Sequence, residues 1–107
     1  MTDDKIEDLL RRYLSWRTAV TERKFPDFGI KYILHLEKIP FRDENMGLSS
    51  WSWAGNVLIS YPDGECIPVF GEMKFRRRID AVRHLLESFS GGKSPEEIVL
   101  EMEAAGA

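Results

Sequence analysis

One cysteine and two histidines are the chain's whole supply of thiol and imidazole groups, and they bound the chemistry open to it. They are Cys66, His35 and His84, and no two of them lie closer than 18 residues. A protein metal site needs several such ligands at usable spacing, so no metal site and no cofactor are expected. Nucleophilic catalysis by Cys66 with His84 as base would need a lowered thiol pKa and a third, orienting group. Cys66 instead precedes Ile67 in a strand-like run, where a cysteine commonly acts as a small buried hydrophobe. The string Gly91-Gly92-Lys93-Ser94 is like the tail of a phosphate-binding loop but lacks its leading glycine. The chain is therefore expected not to be an enzyme.

Two other groups of residues suit binding. The run Lys74-Phe75-Arg76-Arg77-Arg78 opens a segment with helical periodicity. Cations are disfavoured at a helix start by a few tenths to about 1 kcal/mol each. A broken local rule directs attention to function. Free backbone N–H groups and planar guanidinium forks together suit a phosphate or carboxylate. The plainer alternatives are that a preceding strand runs on, or that these arginines meet the acidic segments 43–73 or 94–103. The second group is Trp51-Ser52-Trp53 with Tyr61, three aromatics of one strand parity. Such a stripe is ordinarily core. Left partly uncovered, it is a binding hot spot.

The elements that must position these residues are readable to different degrees. Residues 3–20 read as a helix, with Ile6, Leu9, Leu10, Tyr13 and Val20 at three- and four-residue spacing, Leu14 and Trp16 on the flanks, and Thr2 or Asp3 as cap. Its first turns are acidic and its later ones basic, which complements the helix dipole. Residues 25–41 are ambiguous: Pro26 can open a helix, yet Gly29 and Pro40 bracket a strand-length alternation, and the Tyr/Ile content favours strand. Residues 42–47 read as loop. In 48–70, Trp51, Trp53, Val57, Ile59 and Tyr61 alternate with polar residues, as in a sheet buried on one face. Gly55-Asn56 reads either as a two-residue turn separating strands 49–54 and 57–61 or as a bulge in one long strand. Pro62-Asp63-Gly64 is a turn, and the returning strand 65–70 contains Pro68, which places it at a sheet edge.

Residues 74–89 read as a second helix with Phe75, Ile79, Val82, Leu86 and Phe89 inward, closed by Gly91. Ser94-Pro95-Glu96-Glu97 is a capping box that opens a last helix over 94–104, with Ile98, Leu100 and Met102 as contacts. The turn between these helices looks like a helix-turn-helix, but the final helix carries Glu96, Glu97, Glu101 and Glu103, the wrong sign for a major groove.

The fold expected is α+β in a single domain over 1–107: an N-terminal helix, a small antiparallel sheet of three or four strands, and two C-terminal helices on one sheet face. The core expected is Leu9, Leu10, Tyr13, Ile59, Val82 and Leu86. The composition, with 43% hydrophobic and 31% charged residues, excludes a chain disordered throughout. No apolar run approaches the roughly 20 residues of a membrane span, and the acidic N-terminus lacks the pattern of a secretory signal, so a cytoplasmic location away from membranes is expected.

Charge alternates in blocks: −3 over 1–8, +5 over 9–42, −5 over 43–73, +4 over 74–93 and −4 over 94–107. Opposite blocks packed side by side would neutralise one another. The net −3 argues against polyanion binding over the whole surface. The function expected is that of a small non-enzymatic protein-interaction or regulatory protein, a monomer or weak dimer. Its partner-binding residues would be Lys74, Arg76, Arg77, Arg78, Trp51 and Trp53, and its partner another protein. The alternative is a nucleic-acid-binding module that uses a three-stranded sheet and the Arg76–Arg78 cluster. The free sheet face discriminates them: basic for nucleic acid, apolar for protein.

Overall fold

In the computed structural model, which describes residues 1–42 and 49–106, the chain forms α1 (Asp3–Lys24), β1 (Lys31–Arg42), β2 (Ser49–Ser60), β3 (Cys66–Pro68), β4 (Lys74–Phe75), α2 (Arg78–Ser90) and α3 (Pro95–Ala104). This is the α+β arrangement expected, with four strands. β1 and β2 make an antiparallel hairpin, and the far side of β2 pairs with β3 and then β4. The expected loop at 42–47 falls mostly outside the described residues; Arg42 still pairs with Ser49 in the ladder.

Strand parity sorts the hairpin into two faces. One face carries Tyr32, Leu34, Leu36 and Lys38 opposite Ile59, Val57, Gly55 and Trp53. Tyr32, Leu34, Leu36 and Val57 of this face pack with Ile6, Leu9, Leu10, Tyr13 and Leu14 of α1, Val82, Leu85 and Leu86 of α2, and Ile98 and Met102 of α3. The core is therefore the one read from the helical stripes, with a correction at Ile59, which is only half-buried near the end of its strand. A second correction concerns the last helix. α3 lies mainly against α1 rather than on the sheet, and Leu100 is exposed while Ile98 and Met102 are buried.

β2 is one unbroken strand, so Gly55-Asn56 is neither turn nor bulge in its pairing with β1. Gly55 serves close approach instead: a Cβ there would lie 3.1 Å from Ala81 Cβ of α2 and 3.3 Å from Leu85 Cδ1. Asn56, on the opposite face, replaces a stretch of ladder with its side chain. Its Oδ1 accepts from the N–H groups of Val57 and Phe70 at 2.9 and 3.1 Å, and its Nδ2 donates to the Phe70 carbonyl at 2.9 Å. That splice is why the returning strand is limited to 66–68 rather than 65–70. The preceding turn is as expected, with Gly64 at φ 91° donating to Tyr61 O and Glu65 donating to Asp63 Oδ1. Pro68 does sit on an outer strand.

β1 also runs further than its sequence brackets. It continues through Pro40 because β1 is the outer strand of the sheet, where a missing N–H breaks no bond to β2. α1 extends to Lys24, and Thr2 stands at its N-cap without a side-chain bond. The second helix starts at Arg78, not at 74, because Lys74 and Phe75 pair with Ala54 and Trp53. Gly91 closes it at φ 76°. Ser94 and Glu97 form the reciprocal capping box ahead of α3. Among the described residues no helix is long and apolar enough to cross a membrane.

Candidate functional site

The arginine run and the tryptophan pair come together where the N-terminus of α2 crosses the hairpin. Trp53 pairs across the ladder with Lys38 on one side and Phe75 on the other. The Arg78 guanidinium lies over the Trp53 ring at 5.1 Å, and the Lys38 ammonium lies over the Trp51 ring at 5.3 Å. These side chains share the helix-side face of the sheet but lie past the end of the helical layer. Neither tryptophan belongs to the core: Trp53 is half-buried and Trp51 is 60% exposed. The result is a strip of alternating cation and indole on a two-stranded arm.

The cluster is not a single basic surface. Arg77 is the N-cap residue of α2, and its guanidinium donates to both oxygens of Asp80 at 3.0 and 3.1 Å. Arg78 donates bidentately to Glu7 of α1 at 2.7 and 3.2 Å. Arg77 and Arg78 thus have carboxylate partners, from Asp80 in the helix's own first turn and from Glu7 of the acidic N-terminal block, and among the described residues neither pairs with the 43–73 or 94–103 segments. The bond from Arg78 holds the Glu7 carboxyl below its ordinary value, against the opposing effect of partial burial. The same bond raises Arg78. Arg76 is exposed in the connector, and Lys74, whose strand partner is Ala54, stands on the opposite sheet face from Trp53. Other charge blocks are also joined: Arg83 reaches Asp3 at 3.9 Å, and Lys93 reaches Glu101 at 2.6 Å.

The opposite, helix-free face of the sheet is mixed, with Lys31, His35, Glu37 and Asn56 among Ile33, Ile39 and Leu58. Ile33 is 42% exposed there, opposite half-buried Leu58, and half-buried Ile39 lies further along the same strand. Segment 70–73 crosses beside Asn56 and closes a groove of about 250 Å³ lined by His35, Ala54, Leu58, Pro68, Phe70 and Met73, among others.

The thiol and imidazoles stay apart in their contacts. Cys66 is exposed, correcting the expectation of a buried residue, because β3 lies at the sheet rim; its Sγ lies 4.0 Å from the Gly64 carbonyl. His35 Nε2 lies 3.5 Å from Glu37, and His84 packs on Phe75 and lies 3.5 Å from Ser88 Oγ. Among the described residues no three His, Cys, Asp or Glu side chains converge as a metal site would require.

Lys38 and Phe75 are the site residues that the sequence reading missed. The hairpin register would have found Lys38, since it shares the parity of Tyr32, Leu34 and Leu36. Phe75 sits four residues before Ile79 and so mimics a helical stripe. No protein-family model, curated protein or solved structure matches this chain.

Proposed function

We propose that this chain is a non-enzymatic protein-interaction domain that binds its partner through the hairpin strip Lys38–Trp51–Trp53, with Arg78 at its inner end. The observation that carries this reading is Trp51, 60% exposed with the Lys38 ammonium 5.3 Å from its ring centre. Exposed tryptophan flanked by cations is the composition of a binding hot spot, since it offers large rigid area with few rotamers to immobilise. A partner that inserts an apolar side chain and supplies carboxylates nearby satisfies both halves of the strip. The helix-free face mixes Ile33, Ile39 and Leu58 with Glu37 and Asn56 rather than presenting a basic surface, which favours protein over nucleic acid. So does the engagement of Arg77 and Arg78 with Asp80 and Glu7, which leaves fewer arginines for phosphates.

The test is affinity capture from the native cell with the wild-type chain and Trp51→Ala, each with and without nuclease. Trp51 lies outside the core, so its replacement leaves the fold intact. A partner that survives nuclease and is lost with Trp51→Ala supports the proposal. Retention that nuclease abolishes transfers the strip to nucleic-acid binding, and a salt-dependent affinity for oligonucleotides would then follow.

A further inference from the structure

The last helix holds its most accessible apolar side chain beside a groove. Ile98 and Met102 of α3 are buried one turn apart, and Leu100, about 200° round the helix from Ile98, points away from them. At 63% it is the most exposed large hydrophobic side chain among the described residues. Next to it, α1 and α3 border a groove of about 390 Å³. Half-buried Trp16 and Val99 and buried Met102 make its floor, and exposed Arg11 and Arg12 of α1 and Glu103 of α3 stand on its rims. The two rims are opposite in charge, since α3 carries Glu96, Glu97, Glu101 and Glu103 and no Lys or Arg. Few of these charges are paired within the chain. Glu101 bonds to Lys93 and Arg11 lies 3.6 Å from Glu7, whereas among the described residues Arg12, Glu96 and Glu103 have no ion-pair partner.

We propose that this face joins two copies of the chain, with Leu100 of each copy seated in the α1–α3 groove of the other. The face holds a protruding leucine and a groove with an apolar floor, an acidic helix and a basic one. Such a surface is complementary to itself under a two-fold rotation, which makes each contact twice and closes the assembly. The acidic α3 of one copy meets the Arg11 and Arg12 side of α1 in the other, and Glu103 comes against Arg12. Leu100 leaves water for contact with Trp16 and Val99. The four glutamates of α3 make the same face repel a polyanion. α3 has ten residues and so is about 15 Å long. The contact is small, and its affinity belongs to the weak class of such interfaces.

Sedimentation across about 1 to 500 µM should show a reversible monomer–dimer equilibrium with a Kd in the micromolar range. Leu100→Gln should weaken it about tenfold or more, with the melting curve of the dilute chain unchanged because Leu100 lies outside the core. Charge exchange reads the pairing. Arg12→Glu and Glu103→Arg each set like charges against each other in a dimer of one variant, so each alone should be monomeric. An equimolar mixture restores opposite charges at both contacts and should recover the dimer. The recovery should fade with added salt. A wild-type chain that stays monomeric throughout overturns the proposal. So does a dimer that Leu100→Gln leaves intact, or a mixture no more associated than its components. Trp51→Ala should leave the equilibrium unaltered; its loss there would assign self-association to the hairpin strip and overturn this face. None of these readouts needs an outside partner, so they fail or succeed separately from the proposed function.

Discussion

Replacing Gly55 by valine should destabilise the chain, whereas alanine should be nearly neutral. Gly55 lies at the centre of β2 with α2 directly above it. A methyl group there would lie 3.1 Å from Ala81 Cβ and 3.3 Å from both Leu36 Cδ2 and Leu85 Cδ1. Comfortable carbon–carbon contact is roughly 3.5–4.0 Å, so one methyl overlaps each neighbour by a few tenths of an ångström. Alanine offsets that crowding with the 0.5–1 kcal/mol or so that glycine forfeits in a strand. Valine adds two further carbons on the same face, between buried Leu85 and Leu36, which packs against the core. Overpacking of this kind costs about 1–3 kcal/mol. For a domain of this size that is a fall in Tm of roughly 4–8 °C per kcal/mol. Urea unfolding followed by tryptophan fluorescence and by circular dichroism measures it. The midpoint should fall with an unchanged slope, because the surface exposed on unfolding is nearly the same. Ala81→Gly, which removes the nearest atom, should recover part of the loss in the double variant beyond the sum of the single effects. A Gly55→Val chain as stable as Gly55→Ala would refute the close approach of α2 to the sheet.

Asn56→Ala should cost about 1–3 kcal/mol by equilibrium unfolding, since it strands the Phe70 N–H and carbonyl at a half-buried site. Ser94→Ala should cost about 0.5–2 kcal/mol through loss of the cap on α3, and Ser94→Gly appreciably less. Leu86→Ala should cost about 2–5 kcal/mol, read as a lowered denaturant midpoint. The Glu7 carboxyl is held below 4.5 in the folded chain, chiefly by its bond to Arg78. The unfolded chain therefore takes up this proton more readily than the folded one. The stabilisation is fully present above 4.5 and is lost as pH falls through the lower, folded value. Glu7→Gln should remove that part of the acid dependence, and an unchanged pH profile of stability would rule out the Arg78 contact.

What was legible in the sequence was whatever is decided locally. Ile6, Leu9, Leu10 and Tyr13 bury one helical stripe, Ser94 with Glu97 closes a box within four residues, and Asp63-Gly64 turns the chain with bonds that span only the turn. Most of the misreadings depend on partners remote in the chain. Phe75 is four residues before Ile79 and fits a helix, yet its place is set by Trp53. Pro40 looks like a strand terminator until β1 is known to be outermost. Cys66 looks buried until β3 proves to be a three-residue strand at the rim. The arginine run posed a dipole conflict, and Arg78 answers it with a carboxylate 71 residues away. The exposure of Trp51 follows from where the helices end against the hairpin, a length relation between elements that no single segment encodes.

The Thr18 hydroxyl joins two layers whose motions would otherwise be independent. It accepts from Tyr32 N–H while donating to the Leu14 carbonyl one turn back in its own helix. Fraying of the last turns of α1 withdraws that oxygen, so the Tyr32 amide should exchange with solvent at the rate at which α1 opens rather than at the rate of the sheet. The same opening uncovers an edge N–H of β1 that the helix otherwise holds. A helix terminus thereby acts as gatekeeper for a β-edge: substitutions that loosen α1 near Val20 to Lys24, far from any strand, should raise the tendency of the protein to aggregate through β1.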